Sequence, residues 1–371
     1  MIYLDNSATT YPKPESVYKI IDKISRNSFN AGRGAYRYSK EALKIIDEAR
    51  EEIASFINAK ANQVVFSPSA TEAINIIIYG TGIKEGDNVY VTPFEHNAII
   101  RTLHAKKAKI HIIPFNKSNW EVDTKTLNDM FAINNPKAVF VSQISNVTGF
   151  KPDYGTIFVQ SSRYNSINVL DAAQGFGIVP ISKDNINYIV FAGHKSLYGS
   201  FGAGGFVKLM DDVLDPLVYG GTGSDSLNEN MPQTCPEKYE AGSHNVVAIA
   251  ALNEGSKWIK ANEIEKKEKE MTKYLVQELK KNKKIKLFIP ENENIIGILS
   301  IGIDGYDSDD VAAILADEFD ICTRSGYHCA PYVHDFIGSK TYKGTIRISM
   351  GAFTTKEDID SLIVALREIT A

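Results

Sequence analysis

Cysteine is scarce in this 371-residue sequence, which contains only Cys235, Cys322 and Cys329. Three widely spaced cysteines cannot build the disulfide framework of a small secreted protein. The amino terminus has no basic segment followed by an apolar stretch, and no apolar run approaches the roughly 20 residues that span a bilayer. We therefore expect a cytoplasmic protein that does not bind a membrane.

An excess of positive charge is also absent, because 41 Lys and Arg residues stand against 45 Asp and Glu residues, a net charge of -4. A nucleic-acid-binding protein usually concentrates basic residues, so we expect no nucleic-acid partner. The hydrophobic fraction of 43% and the charged fraction of 23% are typical of a folded globular protein. The length indicates two domains, or one large domain with an appendage.

Short apolar runs alternate with longer mixed segments between about residues 62 and 210. These runs are β-branched, aromatic and almost continuously hydrophobic, which is typical of strands buried on both faces of a sheet. Their alternation with helix-length amphipathic stretches predicts an α/β fold with a mainly parallel seven-stranded sheet flanked by helices. The predicted strands are Gln63–Phe66, Asn88–Val91, Lys109–Pro114, Ala138–Ser142, Asn168–Leu170, Tyr188–Phe191 and Gly205–Leu209.

Two helices are predicted from side-chain patterns outside this alternation. Residues 257–286 mix lysines with glutamates, which favours one long solvated helix over a basic binding patch. Residues 40–57 form an amphipathic helix whose apolar face would comprise Leu43, Ile46, Ala49, Ile53 and Ile57.

A second, smaller α+β domain is predicted at the carboxyl end of the chain. Its elements would be a strand at Ile295–Ile303, a helix at Ser308–Phe319, a strand at Thr345–Met350 and a helix from Lys356. We therefore expect a large domain over residues 15–254 and a small domain over residues 255–371 together with residues 1–14.

Polar residues with chemical potential follow four of the predicted strands. In an open parallel sheet, ligands bind beyond the carboxyl ends of the strands, so we expect one shared site. The groups concerned are Glu95-His96, Ser145-Asn146, Asp171 with Gln174, and His194-Lys195.

Lys195 indicates the kind of chemistry, because it immediately follows a predicted buried strand. A buried amine is costly unless it is paired or used covalently, and a Schiff base with an aldehyde cofactor would explain it. Asp171 is then the carboxylate expected opposite a pyridinium nitrogen, although a helix cap would explain Asp171 alone. These residues predict pyridoxal 5'-phosphate (PLP) as the cofactor.

The segment from Ser67 to Glu72 closes the first predicted strand of the sheet and opens a helix. Ser69 and Glu72 have capping-box spacing, which by itself indicates only a well-capped helix. Free amides at a helix amino terminus also suit a phosphate, and Thr71 adds a hydroxyl. With the other groups nearby, phosphate binding is the better interpretation.

Cys329 lies in a polar loop between Arg324 and a proline, directly after His328. Most free cysteines are buried as small hydrophobes, whereas this setting suits a reactive thiolate. The spacing of Cys322, His328, Cys329 and His334 matches no common zinc pattern, so we expect no metal. Arg347 would point either to solvent or to the site, where its guanidinium could clamp a carboxylate.

Nine segments together resemble the class V aminotransferase group of fold-type I PLP enzymes, and within it the cysteine desulfurase and selenocysteine lyase family. The likeness covers essentially the whole chain. The segments are Tyr3–Thr10, Asn30–Tyr36, Ser69–Asn75, Glu95–Asn97, Ser145–Gly149, Asp171–Gln174, Gly193–Lys195, Glu240–Ser243 and Arg324–Ala330.

The resemblance implies a role for each matching residue. Lys195, Cys329 and His96 would be catalytic, with Cys329 accepting sulfur. The residues implied to bind PLP are Lys195, Asp171, Gln174, His96, Asn146, Ala70, Thr71, His194 and Ser243, the last acting across a homodimer interface. The residues implied to bind substrate are Arg347, Asn146, Arg33 and Ala8.

The implied reaction converts L-cysteine to L-alanine and leaves a persulfide on Cys329. A selenocysteine lyase, another class V aminotransferase or β-lyase, and a non-catalytic relative are the alternatives, and the sulfur-acceptor protein is left open. Ala192 departs from the family, which usually has a phosphate-binding hydroxyl there. Losing that hydrogen bond would cost about 1–3 kcal/mol of cofactor binding.

Overall fold

The computed structural model describes residues 1–27, 30–31, 34–210, 214–223 and 226–371. Its strands β1 to β12 are Ile2–Tyr3, Val64–Ser67, Asn88–Val91, Lys109–Ile112, Ala138–Ser142, Ile167–Asp171, Tyr188–Ala192, Gly204–Lys208, Ile285–Leu287, Ile298–Ile303, Ile321–Cys322 and Ile346–Ser349. Its helices α1 to α11 are Glu15–Asn27, Arg37–Ser55, Ala70–Gly80, Asn97–Ala105, Thr124–Ile133, Tyr154–Ser161, Val246–Lys260, Ile264–Leu279, Ser308–Phe319, Val333–Ile337 and Lys356–Ile369.

A seven-stranded sheet lies at the centre of the fold, in the order β2-β8-β7-β6-β5-β3-β4. The pairs from β4 through β7 are parallel, and β8 runs antiparallel to both β7 and β2. All seven predicted strands are confirmed, with ends that differ by at most two residues. The predicted mainly parallel α/β sheet is therefore correct.

Both faces of this sheet are covered, which explains why its strands are hydrophobic at every position. In β7, Ile189 and Phe191 pack into the core formed with α2, α6 and α7. Tyr188 and Val190 point the other way, into the core formed with α3 and α4. Successive side chains of a strand point to opposite faces, so a doubly covered strand needs apolar residues at both parities.

The carboxyl-terminal elements surround a second sheet, in which β10 lies between β9 and β12 with antiparallel pairing. Their core also includes Leu4, which follows β1, and β1 pairs in parallel with β11. The predicted helix at Ser308–Phe319 is confirmed at both ends. The two-residue strands β1 and β11 and the three-residue β9 carry too little pattern to be predicted. The division of the chain at residue 255 stays a prediction.

The prediction of one long helix over residues 257–286 is wrong. Helix α7 ends at Lys260, α8 covers Ile264–Leu279, and β9 follows. The two helices pack into different hydrophobic cores. Ile259 of α7 packs in the core of the large sheet, whereas Leu275 of α8 packs in the core of the small sheet. The chain must turn between them, and no glycine or proline marks that turn.

The helix predicted over residues 40–57 is confirmed as α2, which begins earlier, at Arg37, and ends at Ser55. Four of its five predicted apolar contacts are buried, but Leu43 is 42% exposed. Among the described helices, none has the length and apolar character required to cross a membrane.

Candidate active site

A small cavity lies at the carboxyl ends of the parallel strands and at the amino terminus of α3. It brings together seven residues that the sequence singled out: Ala70, Thr71, His96, Asn146, Asp171, Gln174 and Lys195. They come from four strand ends and one helix start, so the expected convergence at a single sheet edge is observed. The chemical roles of these residues stay predictions.

Lys195 and Asp171 are a buried amine and a buried carboxyl group in this cavity. Burial lowers the pKa of the Lys195 amine, and the charge of Asp171 opposes that shift. Burial raises the pKa of Asp171, whereas a 3.0 Å hydrogen bond from the Ala173 amide and the charge of Lys195 act to lower it. Among the described residues, no hydrogen-bond partner of the Lys195 amine is found.

His96 immediately precedes α4 and caps it, because its Nδ1 accepts a 3.0 Å hydrogen bond from the Ala98 amide. The neutral ring therefore carries its proton on Nε2. Burial, together with the nearby charge of Lys195, lowers the pKa of His96 to about 4. The imidazole is thus neutral near pH 7, with an N–H available to a ligand.

The first turn of α3 forms another part of the cavity wall. Ser69 caps this helix by accepting a 3.2 Å hydrogen bond from the Glu72 amide, as its spacing predicts. Strand β8 approaches very closely here, since a Cβ at Gly204 would lie 3.0 Å from the Ala70 nitrogen. Ala192 pairs with Gly204 in the sheet.

His194 stacks on Phe201, with ring centroids 4.5 Å apart. Its buried Nδ1 has no hydrogen-bond partner in the described part of the chain. Burial and the charges of Lys195 and Lys13 lower the pKa of His194 to about 3. Such an unpaired polar atom is costly in the protein alone and is suited to a ligand.

Cys329 is exposed and lies in a loop that is tied to this cavity. Its carbonyl accepts a 2.7 Å hydrogen bond from the Asn97 amide, directly after His96. Asn146 Nδ2 donates to the His328 carbonyl at 2.8 Å. The Arg324 guanidinium lies 3.9 Å from the Cys329 Sγ. The thiol therefore lies beside a cation and next to residues that adjoin the cavity wall.

Arg347 is 1% exposed and is held on two sides. Its Nη2 pairs with Asp5 Oδ1 at 2.6 Å, and its Nη1 donates to the Asn146 carbonyl at 3.0 Å. Burial lowers the pKa of Arg347, and the Asp5 carboxylate opposes this. The guanidinium is directed inward, against the amino-terminal segment, and its Nε is buried without a partner among the described residues.

His194, Cys329 and Arg347 do not line the central cavity themselves, and the three remaining predicted residues do not line it either. Ser243 lines a separate cavity with Glu240 and His244. Ala8 does not line the central cavity, although Gln174 Nε2 binds the adjacent Ser7 carbonyl at 3.0 Å. Arg33 lies outside the described residues.

No group of three or more potential metal ligands occurs within the ranges that the structure describes. The two histidines near Cys329 have other partners. His328 Nε2 bonds Thr345 Oγ1 at 2.8 Å, and His334 bonds Ser339 Oγ at 2.7 Å and the Tyr327 carbonyl at 3.0 Å.

Several residues that shape the site escaped the sequence analysis. Asp5 holds Arg347 from 342 positions away. Lys13 Nζ bonds the His194 carbonyl at 2.8 Å, beside the Thr10 hydroxyl at 2.6 Å. Each lies in or beside the matched segment Tyr3–Thr10, which is the only signal that could have indicated them.

Comparison with known proteins gives a family for this arrangement. The family model "Aminotransferase class-V" matches residues 2–362. The chain belongs to the class V aminotransferase family. Within it, the chain is 31% identical to a probable cysteine desulfurase of Methanothermobacter thermautotrophicus, over 99% of this chain and 94% of the relative. It is 29% identical to a cysteine desulfurase of Pectobacterium carotovorum, over 100% and 93%.

A solved structure leads to the same group. The apo structure of a cysteine desulfurase from Thermococcus onnurineus superimposes with a TM-score of 0.90 at 28% identity, covering 100% of this chain and 94% of that one. The fold-type I architecture expected for a class V aminotransferase is therefore confirmed.

Proposed function

We propose that this class V aminotransferase is a PLP-dependent cysteine desulfurase, which converts L-cysteine to L-alanine and transfers the sulfur to Cys329 as a persulfide. One observation carries the proposal. A cavity containing a buried amine opposite a buried carboxyl group is joined, through Asn146 and Asn97, to a loop that presents a thiol.

The residues of the cavity fit PLP. Lys195 supplies an amine without a hydrogen-bond partner among the described residues, and Asp171 supplies the carboxylate for a pyridine nitrogen. Ala70, Thr71 and the unpaired Nδ1 of His194 suit the phosphate. His96 and Gln174 line the space between these ends. When bound, PLP supplies an electron sink for the carbon that loses its proton.

Residues of the chain carry out the proton transfer and the sulfur transfer. Lys195 Nζ, whose pKa is lowered by burial, accepts the α-proton of cysteine. The Cys329 Sγ attacks the substrate sulfur, and a sulfur–sulfur bond forms as the carbon–sulfur bond breaks. The carbon is protonated to give alanine. Enzyme thiol and cysteine thus become enzyme persulfide and alanine, with no external oxidant.

Substrate orientation is assigned to the arginines and to the amino-terminal segment. Arg347 is already fixed by Asp5 and Asn146, so its position costs no ordering when the substrate binds. Asn146, Ala8 and Arg33 complete the proposed substrate site. Arg324, beside the Cys329 Sγ, stabilises the attacking thiolate.

We also propose the homodimer that the family resemblance implies, in which Ser243, which lines a cavity separate from the one lined by Lys195, acts on the site of a second copy. A second copy could bring its Ser243 to the phosphate end of the site. Sedimentation equilibrium should then give twice the chain mass, and a Ser243→Ala variant should lower PLP affinity. A monomer that binds PLP normally would contradict the inference.

The test of the activity measures alanine and sulfide formed from L-cysteine by the PLP-loaded protein in the presence of a reductant. Cys329→Ala should retain the visible absorbance of lysine-bound PLP at about wild-type strength, but lose sulfide formation. Cys322→Ala is the matched control and should retain turnover. Undiminished desulfuration by Cys329→Ala would refute the role of Cys329.

Assays with other substrates distinguish the alternative activities. L-selenocysteine in place of L-cysteine tests for a selenocysteine lyase, and a keto acid with an amino donor tests for an aminotransferase. Turnover that requires the keto acid and is unchanged in Cys329→Ala would replace the desulfurase assignment.

A further inference from the structure

The loop that carries Cys329 has an unusual backbone. His328 and Cys329 both lie in the left-handed region, with φ of 46° and 56°. Residues with a Cβ rarely adopt this conformation, and two in succession persist only where the surroundings fix them. The structure must therefore contain contacts that hold this pair.

The His328 side chain provides the first of these contacts. It is 3% exposed, and its Nε2 contacts both Thr345 Oγ1 at 2.8 Å and the Thr345 carbonyl oxygen at 3.1 Å. Thr345 Oγ1 bonds Ser300 Oγ at 2.9 Å, and Ser300 Oγ donates to the Val147 carbonyl at 2.6 Å. Val147 follows Asn146, whose Nδ2 donates back to the His328 carbonyl at 2.8 Å.

These residues form a closed buried ring, which we call the His328 ring: His328, Thr345, Ser300, Val147 and Asn146. All are at most 9% exposed. The direction of its hydrogen bonds is fixed, because a carbonyl can only accept. Ser300 therefore donates to Val147, Thr345 donates to Ser300, and His328 donates from Nε2.

This assignment places a proton on His328 Nε2. Burial, together with the charge of Arg347, lowers its pKa well below the ordinary value, which agrees with a neutral ring. Its Nδ1 has no partner among the described residues. His328 is thus an uncharged anchor, and it does not act as a base for the neighbouring thiol through Nε2.

We propose that His328 is a positioning residue, which holds the Cys329 thiol in place by anchoring its left-handed backbone to the Asn146 wall of the active-site cavity. The proposal rests on the desulfurase function proposed above and deepens it. Sulfur transfer then occurs on a fixed cysteine, and the sulfur acceptor must approach the exposed thiol, since the loop does not carry the thiol outward.

Two further contacts close the same loop. The Asn97 amide binds the Cys329 carbonyl at 2.7 Å, and Gly326 and Thr345 exchange backbone hydrogen bonds of 3.1 Å and 3.0 Å. The amides of Asn97 and Gly326 therefore report directly on whether the loop is closed. Hydrogen exchange at these amides needs neither cofactor nor substrate.

The test compares Thr345→Val with Thr345→Ser. Valine has the shape of threonine without its hydroxyl, so it breaks the side-chain link from His328 to Ser300 and leaves His328 Nε2 only its 3.1 Å contact with the residue 345 carbonyl, whereas serine keeps the hydroxyl. In cofactor-free protein, Thr345→Val should accelerate exchange at Asn97 and Gly326 by about tenfold or more, and Thr345→Ser should restore slow exchange. In PLP-loaded protein, Thr345→Val should lower kcat for alanine formation with little change in KM.

Thr370→Val serves as the control for the loss of a buried threonine hydroxyl elsewhere. Thr370 Oγ1 donates to the Leu366 carbonyl at 2.7 Å and accepts from Asn282 at 2.7 Å, away from the loop. Loop exchange and kcat should stay at wild-type values in this variant.

The outcomes are distinct. Unchanged exchange in Thr345→Val would show that the ring does not hold the loop, and faster exchange with unchanged kcat would show that turnover does not need a held cysteine. Either result overturns the proposal. If the wild-type chain forms no alanine from cysteine, the desulfurase function fails, while the exchange comparison still decides whether the His328 ring holds the loop.

Discussion

Replacing Glu240 should strongly destabilise the fold, because its carboxylate is buried among four donors. Arg50 binds both of its oxygens, the Phe66 amide donates to it at 2.5 Å, and His244 Nε2 lies 2.7 Å away. The side chains of Arg50 and Glu240 are 9% and 4% exposed. Glu240→Leu would therefore leave a buried guanidinium without its counter-charge.

The expected loss is about 3–5 kcal/mol of unfolding free energy, the usual cost of removing one partner of a buried ion pair. The double variant Arg50→Met/Glu240→Leu removes the stranded cation as well. Its remaining costs are the unpaired Phe66 amide, about 1–3 kcal/mol, and the lost hydrogen bond from Arg50 to the Val64 carbonyl, about 1 kcal/mol. The double variant should thus be more stable than the single one.

Urea denaturation followed by circular dichroism measures these differences. Glu41→Gln is the control, because the Arg37–Glu41 pair, with side chains 82% and 49% exposed, is screened by solvent and should contribute little to stability. A Glu240→Leu variant as stable as Glu41→Gln would refute the reasoning.

The same carboxylate gives a pH dependence. Burial alone would raise the pKa of Glu240, but the hydrogen bonds of His244 and Arg50 and the charge of Arg50 bring it below the usual 4.5. A lowered folded-state pKa stabilises the protein above pH 4.5, and this contribution is lost as the pH falls further. The stability difference between wild type and Glu240→Leu should therefore shrink in acid.

Three further predictions test packing and charge elsewhere. A Cβ at residue 255 would lie 2.2 Å from the Leu197 carbonyl oxygen, so Gly255→Ala should displace the turn that follows Lys195. An absorbance titration should then show weaker PLP binding, and an unchanged PLP affinity would contradict the prediction. His96→Ala should cost about 1 kcal/mol in urea denaturation through the lost cap of α4, whereas His96→Asn should retain the cap. Burial and the charge of Glu265 raise the pKa of Glu268 to about 8. Glu268→Gln should therefore stabilise the fold by an amount that grows from pH 4.5 to pH 8 and is absent at pH 4. Thermal denaturation midpoints equal to those of the wild type across this range would argue against this prediction.

The large sheet could be predicted because each strand carries its own recognisable sequence pattern. Each of its strands is apolar on both faces, and polar residues follow directly at the sheet edge where parallel strands place ligands. Lys195, Asp171 and His96 were found by that rule. The break between α7 and α8 could not be found, because the Lys–Glu pattern is compatible with helix throughout and the two cores that separate the helices are tertiary features.

The contacts that complete the site could not be predicted from the sequence, for a different reason. The Asp5–Arg347 pair joins residues 342 positions apart, and neither residue belongs to a periodic pattern that would relate them. The His328 ring depends on side chains from four separate segments. The family resemblance indicated which segments matter, but not how their hydrogen bonds are distributed.

The most direct test of the account asks whether Lys195 holds the cofactor. PLP-loaded protein is reduced with borohydride, digested, and its peptides are sequenced by mass spectrometry, with Lys195→Ala as the control. We expect a pyridoxyl group on Lys195 in the wild-type protein and no label in the variant. An unlabelled Lys195, or a label on another lysine that persists in Lys195→Ala, would contradict it.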